Sequence, residues 1–469
     1  MSSETAHSRL RSVRSPRPRV VIAGGGVAAI EALLALRHLV GEHVAIELLA
    51  PERSFIHRPS SVAGPFGLGG PGPVDLATLA RHQGAELRHA ALVGVDPARG
   101  VALLDGGEEA PYDVLIVAVG AIPKAAVPGA INFAGPAQVS EVADVLDAVE
   151  HGECRRLVFA VPSEATWSLP VYELAMMAAI DLRDRGARDA TLTLVTPEPE
   201  PLRLFGATAG AALREMLDAR GVALLTDTRP LAAADGLLQV EPGKPLRADA
   251  VISMPALEGP RLTGLPSDAR GFLPVDAHGR VLAVSGVYAA GDATAFPVKQ
   301  GGLATQQADA AAEAVAADLG RVSDPAPFRP VLRGLLLTGG APMYLRAELT
   351  GGKEPTARTL RGEVSSRALW WPPGKIAGRY LAPYLGTARP VELAAEPLRD
   401  RTPASPSTAP DHDEAFQLAL LLAEEDARVG DYHQALHALD AAAALAGGAL
   451  PEEWIESRAR WERELAPQA

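Results

Sequence analysis

Apolar positions along this chain fall into two alternating patterns. Short unbroken runs over 20–23, 44–49, 114–119, 156–161, 191–196, 222–226 and 248–254 fit strands buried on both faces. Between them lie stretches of helical spacing, over 27–39, 139–150, 172–185, 207–220 and 302–319. In the first helix Ile30, Leu33, Leu34 and Leu36 form the inward face. Strands alternating with helices of this length predict an α/β fold with parallel sheets. A short helix over 75–82 and strands over 85–96 and 101–104 predict a small side meander, turning at Gly106 and Gly107.

The pattern weakens toward the end of the chain. A third region holds 335–338, 344–348 and the stretch ALWWPPGKIAGRYLAPYL, where a helix is expected from about Gly374. Residues 395–414 are rich in Pro, Ser, Thr and charge, as a linker is. Residues 415–469 predict two or three helices resembling one tetratricopeptide-like hairpin, too few for a solenoid.

The first strand and helix enclose the most informative local motif, VVIAGGGVAAIEAL. Gly24, Gly26 and Ala29 occupy the three places of G-x-G-x-x-G/A. The first permits a tight turn, the second lets a pyrophosphate approach the backbone, and the third lets the helix pack close to the strand. Val27 and Ala28 then open the helix, whose N-terminus favours anions. An acidic residue after the second strand is expected at the adenosine ribose. Glu47 fits by counting but lies inside an apolar run; Glu52, just past the strand end, is preferred, with a solvated turn residue as its other reading. Arg58 lies in a Gly- and Pro-broken loop that could carry binding groups. Gly120, at the end of the 114–119 run, suits a close approach of backbone to ligand.

Composition narrows the classes. The 469 residues are 48% hydrophobic with a net charge of −13 and no long basic run in the folded part, which argues against nucleic acid as a main partner. The single cysteine, Cys154, excludes a disulfide framework, a CxxC pair and a Cys-based zinc site within one chain, and no metal site is expected. Residues 1–18 are polar, basic and proline-bearing, without the apolar core of a signal peptide, and read as a disordered arm. No apolar run is long and clean enough to span a bilayer, so the expected location is cytoplasmic.

Three motifs together carry a family resemblance: VVIAGGGVAAIEAL, YDVLIVAVGAIP, and GVYAAGDATAFPVKQGGLATQQADAAAEAVAADL. Residues 19–385 resemble the two-dinucleotide-domain FAD flavoproteins of the pyridine nucleotide-disulfide oxidoreductase type. The branch most alike includes type II NADH:quinone and sulfide:quinone oxidoreductases. The resemblance implies two Rossmann-like domains. The FAD domain would comprise 19–125 and 270–330, interrupted by an NAD(P)-binding-like domain over 135–265 and followed by an interface region over 331–394. It implies that Gly291 and Asp292 bind FAD, and that Lys299 and Gln300 lie near the flavin carbonyl oxygens. Gln306 and Gln307 match the A-x-x-Q-Q stretch at a quinone end. Glu173, in VYELA, matches a glutamate near the flavin that could relay a proton; its plain reading is a first-turn glutamate favoured by the helix dipole. Glu173, Lys299 and Gln306 are therefore the expected catalytic residues.

Two departures shape the functional expectation. The family's sulfide oxidation needs a cysteine pair beside the flavin, which this chain cannot supply. The second glycine loop is replaced by VPSEATWSLP, so NAD(P)H binding is left open. Glu198 either meets a ribose or, the preferred reading, is a surface turn residue. The expected function is an FAD-dependent oxidoreductase, similar to NAD(P)H dehydrogenases and quinone reductases, that passes electrons from a reduced small-molecule donor, NAD(P)H being one candidate, to a quinone or small organic acceptor. The alternatives are a flavoenzyme with its own organic substrate, on which Trp167 could stack, and a flavin-binding interaction protein. Residues 370–385 mix aromatics with Lys375 and Arg379. They read as a packing segment, or alternatively as a peripheral contact with the inner face of the membrane. The C-terminal helices offer a contact for a protein partner or a second copy.

Overall fold

Strand Arg19–Ala23 lies at the centre of a five-stranded parallel sheet. Val114–Val117 flanks it on one side and Ala45–Leu49 on the other, so that Val21 registers with both Leu115 and Glu47. Glu86–Arg88 and Val287–Ala289 form the two edges. The computed structural model describes residues 17–350, 358–388, 432–445 and 450–465, with single helical positions between 416 and 427. Both the expected arm, apart from its last two residues, and the expected linker over 395–414 lie outside the described residues.

A second five-stranded parallel sheet has the same layout. Its order is Ile131–Asn132, Ala250–Ser253, Arg156–Ala160, Thr191–Val195, Val222–Leu225. The whole of this sheet lies, in sequence, between the fourth and the last strand contributed to the first. The antiparallel pair Ile122–Lys124 and Ala256–Glu258 marks where the chain leaves the first sheet and returns. A third, antiparallel sheet follows: Val331–Leu336, Met343–Leu349 and Thr359–Ser365.

Helix Val27–Val40 packs along helix Gly301–Asp318, and alanines dominate the seam: Ala28, Ala32 and Ala35 against Ala304, Ala308 and Ala311. Side chains this small let two helices approach closely. Two carboxyl groups interrupt this seam, the fully buried Glu31 from one helix and the half-buried Asp309 from the other, linked by a side-chain hydrogen bond. Glu31 also accepts the backbone N–H groups of Tyr380 (2.8 Å) and Leu381 (2.7 Å), which fastens the start of helix Leu381–Ala388 to the first domain.

That fastening corrects one expectation. No helix begins at Gly374; the helix starts at Leu381, where Glu31 satisfies the first amides. Lys375 and Arg379 are not neighbours on one helical face, since Lys375 pairs with Glu173 and Arg379 with Glu313. Trp370 is buried against Tyr344, 5.2 Å between ring centroids, and its indole N–H donates to Gly374 O. The large side chains of this segment thus turn inward. The expected strand over 85–96 is also two strands, Glu86–Arg88 in the parallel sheet and Leu92–Asp96 in a meander with Val101–Leu104 and Glu109–Pro111. Apolar alternation cannot reveal a strand that changes partners midway.

Helices Tyr432–Leu445 and Glu452–Leu465 close around a buried Trp461, with Trp454 at 6.2 Å and Trp371 against the same cluster. No helix among the described residues is long and apolar enough to cross a membrane.

Candidate functional site

The glycine turn sits at the carboxyl end of the central strand, where ligands of open parallel sheets bind. Gly24 has φ +133°, and a Cβ there would lie 2.2 Å from the carbonyl oxygen of Ala118. Only glycine fits. Gly26 is different: a Cβ there would meet nothing within 4 Å, so its need is not set by the protein. Gly26 is also the extended N-cap of helix Val27–Val40 and offers no side-chain cap to its first amides. Open space above uncapped helix amides is what a pyrophosphate requires.

The two competing carboxylates separate. Glu47 is buried in its strand, 2.5 Å from Arg88. Glu52 is exposed, and its Oε2 lies 3.3 Å from where a Cβ on Gly25 would be. Glu52 therefore faces the glycine turn and Glu47 does not. Gly120 has φ +77° with open space on its Cβ side, and Arg58 is exposed at the start of the 3-10 turn Arg58–Phe66.

The Gly291-Asp292 turn reaches the same place from the other side. A Cβ on Gly291 would lie 2.9 Å from Ala28 and 3.4 Å from Ala304, so this turn sits where the two helices meet. Its N–H donates to Gln307 Oε1 at 2.8 Å. Asp292 is half-buried, and burial pushes its carboxyl above the usual range while Lys299 and Arg58 oppose that shift. Lys299 is buried; its ammonium donates to Thr294 O and sits 3.9 Å over the Phe272 ring. Burial lowers its pKa to about 8 despite Asp292 and Asp268. The residues present fit an FAD: a turn that needs glycine at Gly24, open helix amides, an exposed carboxylate at Glu52 and a buried cation at Lys299.

Two glutamines at the start of helix Gly301–Asp318 are tied into the fold by their side chains. Gln300 caps helix Gly301–Asp318, accepting from Leu303 N at 2.9 Å and donating to Arg333 O at 3.0 Å. Gln306 donates to Gly302 O and Val331 O, and accepts from Val331 N. Its amide ties the helix to the third sheet.

Glu173 is fully buried and Lys375 nearly so. The ammonium lies 2.5 and 2.7 Å from the two carboxylate oxygens, and Leu337 N donates to Oε1 at 2.8 Å. Burial raises the pKa of Glu173, and Lys375 pulls it back. Beside them is His57, buried, with Nδ1 2.6 Å from Ser60 Oγ. Burial and the charge of Lys375 lower the His57 pKa to about 4, so its imidazole is neutral near pH 7. Residues beside Lys375 and His57 in sequence meet the N-terminus of helix Gly301–Asp318, where a Cβ on Gly301 would be 3.1 Å from Ile376 and 4.0 Å from Pro59. Sequence reasoning singled out Glu173 and Lys375 separately and passed over His57. The available signal was a glutamate within an apolar helix, which demands a cation from elsewhere.

Glu198 is not a free turn residue. It is half-buried, accepts from the Tyr172 hydroxyl at 2.9 Å and lies 3.3 Å from Thr196 Oγ1. Cys154 is a buried free thiol.

Residues 172–316 match the family model described as pyridine nucleotide-disulphide oxidoreductase. Apoptosis-inducing factor 3 of Mus musculus is 36% identical over 118 residues, covering 23% of this chain and 19% of that protein. The chain thus spans about a fifth of that relative's length. Among solved structures, the sulfide:quinone oxidoreductase of Aquifex aeolicus is similar with a TM-score of 0.67 at 19% identity, covering 74% of this chain and 86% of that one. A ferredoxin reductase of Rhodopseudomonas palustris gives 0.54 at 18%, covering 71% and 82%. The match to that family model thus spans residues 172–316, the fold is similar to those of the two solved structures, and the chain has a single cysteine in its whole length.

Proposed function

We propose that the protein is an FAD-dependent oxidoreductase that takes electrons from a reduced small-molecule donor and passes them to a quinone or small organic acceptor. The observation that carries this reading is the buried Glu173–Lys375 pair, whose lysine is followed by Ile376 against Gly301, the first residue of helix Gly301–Asp318. A buried ion pair contributes little to stability, and buried, perturbed titratable groups of this kind gather at functional sites.

Gly24, Gly26, Val27 and Ala28 would hold the pyrophosphate, and Glu52 the adenosine ribose. Gly120, Gly291, Asp292 and Arg58 would surround the middle of the cofactor, with Lys299 and Gln300 toward its ring. When bound, FAD supplies the two-electron chemistry. This chain's residues supply the rest. Lys375 holds a proton on Nζ against Glu173, and Glu173 can accept it on either oxygen, so the pair exchanges one proton with a substrate whose redox change requires it. His57, neutral and bonded to Ser60, adds no second positive charge beside Lys375. The closing segment 370–385 keeps bulk water from the pair.

The test is the visible spectrum of the purified chain. A yellow protein whose flavin is bleached by a reductant and restored by a soluble quinone is expected. A colourless protein that takes up no added FAD overturns the proposal.

A further inference from the structure

We infer that the nucleotide cleft of the second domain is closed by the chain itself, with Tyr172 locking Glu198 and Trp167 seated on Phe205, so that neither NADH nor NADPH is the electron donor. This deepens the flavoenzyme reading and rests on it for the identity of the reaction, but the closed cleft is argued from the second sheet alone.

Four features of a dinucleotide site can be compared between the two sheets. The first is backbone access. After Ala23 the chain has Gly24, Gly25 and Gly26; after Ala160 it has Val161, Pro162, Ser163, Glu164, Ala165, Thr166, Trp167 and Ser168. The second is the helix N-terminus. Helix Leu169–Asp184 begins with Pro170 in its first turn, which has no N–H, and the amide of Val171 is already taken by Ser168 O at 3.0 Å. Few first-turn donors remain to meet a phosphate.

The third is the acidic residue past the second strand. In the first domain Glu52 is exposed and faces the glycine turn. In the second, Glu198 is drawn inward and held by Tyr172, Thr196, Ser168 and the Leu202 amide. All of these partners belong to its own domain. A ribose diol would have to displace them and leave buried donors unpaired.

The fourth is space. Trp167 packs edge-on against Phe205, 5.8 Å between centroids, and Phe205 is almost fully buried. The third sheet braces this pair. A Cβ on Gly334 would lie 2.7 Å from Phe205 Cζ, and one on Gly362 would lie 2.2 Å from Phe205 O. Thr359 Oγ1 donates to Leu204 O at 2.7 Å. The filling is therefore anchored on two sides. The helix of this second domain also carries Glu173, and the donor is a reduced molecule without a dinucleotide handle.

The experiment is equilibrium dialysis of the full chain against NADH and NADPH, paired with an anaerobic spectrum. No saturable binding up to about 1 mM is expected. The flavin band should persist with either nucleotide and bleach with dithionite. Binding tighter than about 0.1 mM that Glu198→Gln weakens about tenfold would make Glu198 the ribose ligand and overturn the inference. So would bleaching by NADH at a rate that saturates with its concentration. A colourless chain that binds neither nucleotide overturns the flavoenzyme reading and leaves the closed cleft standing.

Discussion

Lys375 Nζ lies 2.5 Å from Oε1 of Glu173 although 202 residues separate the two in sequence. Neither charge reaches solvent, so each depends on the other. Removing only the carboxylate leaves an ammonium buried and unpaired, at a cost of about 3–5 kcal/mol. Removing only the lysine costs less, because Glu173 can take up a proton where burial already favours its neutral form. Glu173→Gln should therefore destabilise more than Lys375→Met, and the double variant should be more stable than Glu173→Gln alone. Urea unfolding of the four chains measures the coupling; additive effects would dissolve the pair as a unit.

Gly24 and Gly26 lie two residues apart but answer to different constraints. A Cβ on Gly24 collides with the backbone at Ala118, so Gly24→Ala should destabilise the chain itself, by about 1–3 kcal/mol or more. A Cβ on Gly26 meets no protein atom. Gly26→Ala should leave the unfolding of the apoprotein within about 0.5 kcal/mol of the parent while weakening FAD at least about tenfold. Thermal unfolding without FAD, followed by FAD titration, separates the two effects. Equal FAD affinity in the parent and Gly26→Ala would remove the pyrophosphate from this turn.

The carboxylates of the second strand give a matching contrast. Glu47→Gln breaks a partly buried pair with Arg88 and should lower stability by about 1–3 kcal/mol with little change in FAD affinity. Glu52→Gln should do the reverse, lowering FAD affinity about tenfold with stability unchanged. Fluorescence titration of the apoprotein with FAD reads both. The opposite pattern would place Glu47 at the ribose.

What the sequence makes legible follows from distance along the chain. The strand, glycine turn and helix around Gly24 are contiguous, and the glycine is forced by geometry within one βα unit. The alternating strands and helices likewise reveal two parallel sheets, since burial on both faces leaves unbroken apolar runs. Lys375 is different. Nothing near it in sequence indicates that its partner is Glu173, and its neighbours suggest a helix from about Gly374, whereas the helix starts at Leu381. The same holds for Gln306, which the A-x-x-Q-Q resemblance assigns to a substrate. Its amide also holds Val331, twenty-five residues on, at an edge of the third sheet, a contact that its sequence neighbours do not reveal. Glu198 reads as a turn residue from TPEPEP, and only the folded position of Tyr172 draws it inward.

His57 supplies an acid limit with a definite sign. Its pKa is about 4 in the folded chain against an ordinary 6.5, with burial as the larger cause and Lys375 as the second. Between those values the unfolded chain binds a proton that the folded chain refuses, so stability rises with pH across this window and is lost as pH falls from 6.5 toward 4. At about 1.4 kcal/mol per pH unit, the loss attributable to this one imidazole approaches about 3 kcal/mol. Below pH 4 both states carry the proton and the loss levels off. His57→Asn keeps a polar group near Ser60 without a titrating ring, so the stability difference between parent and variant should shrink or reverse by that amount as pH falls. Urea unfolding at a series of pH values between 4 and 7 measures it. A difference that stays flat across the window would mean that His57 carries its proton inside the fold, beside Lys375, and would require a counter-charge other than Glu173 to hold two cations there.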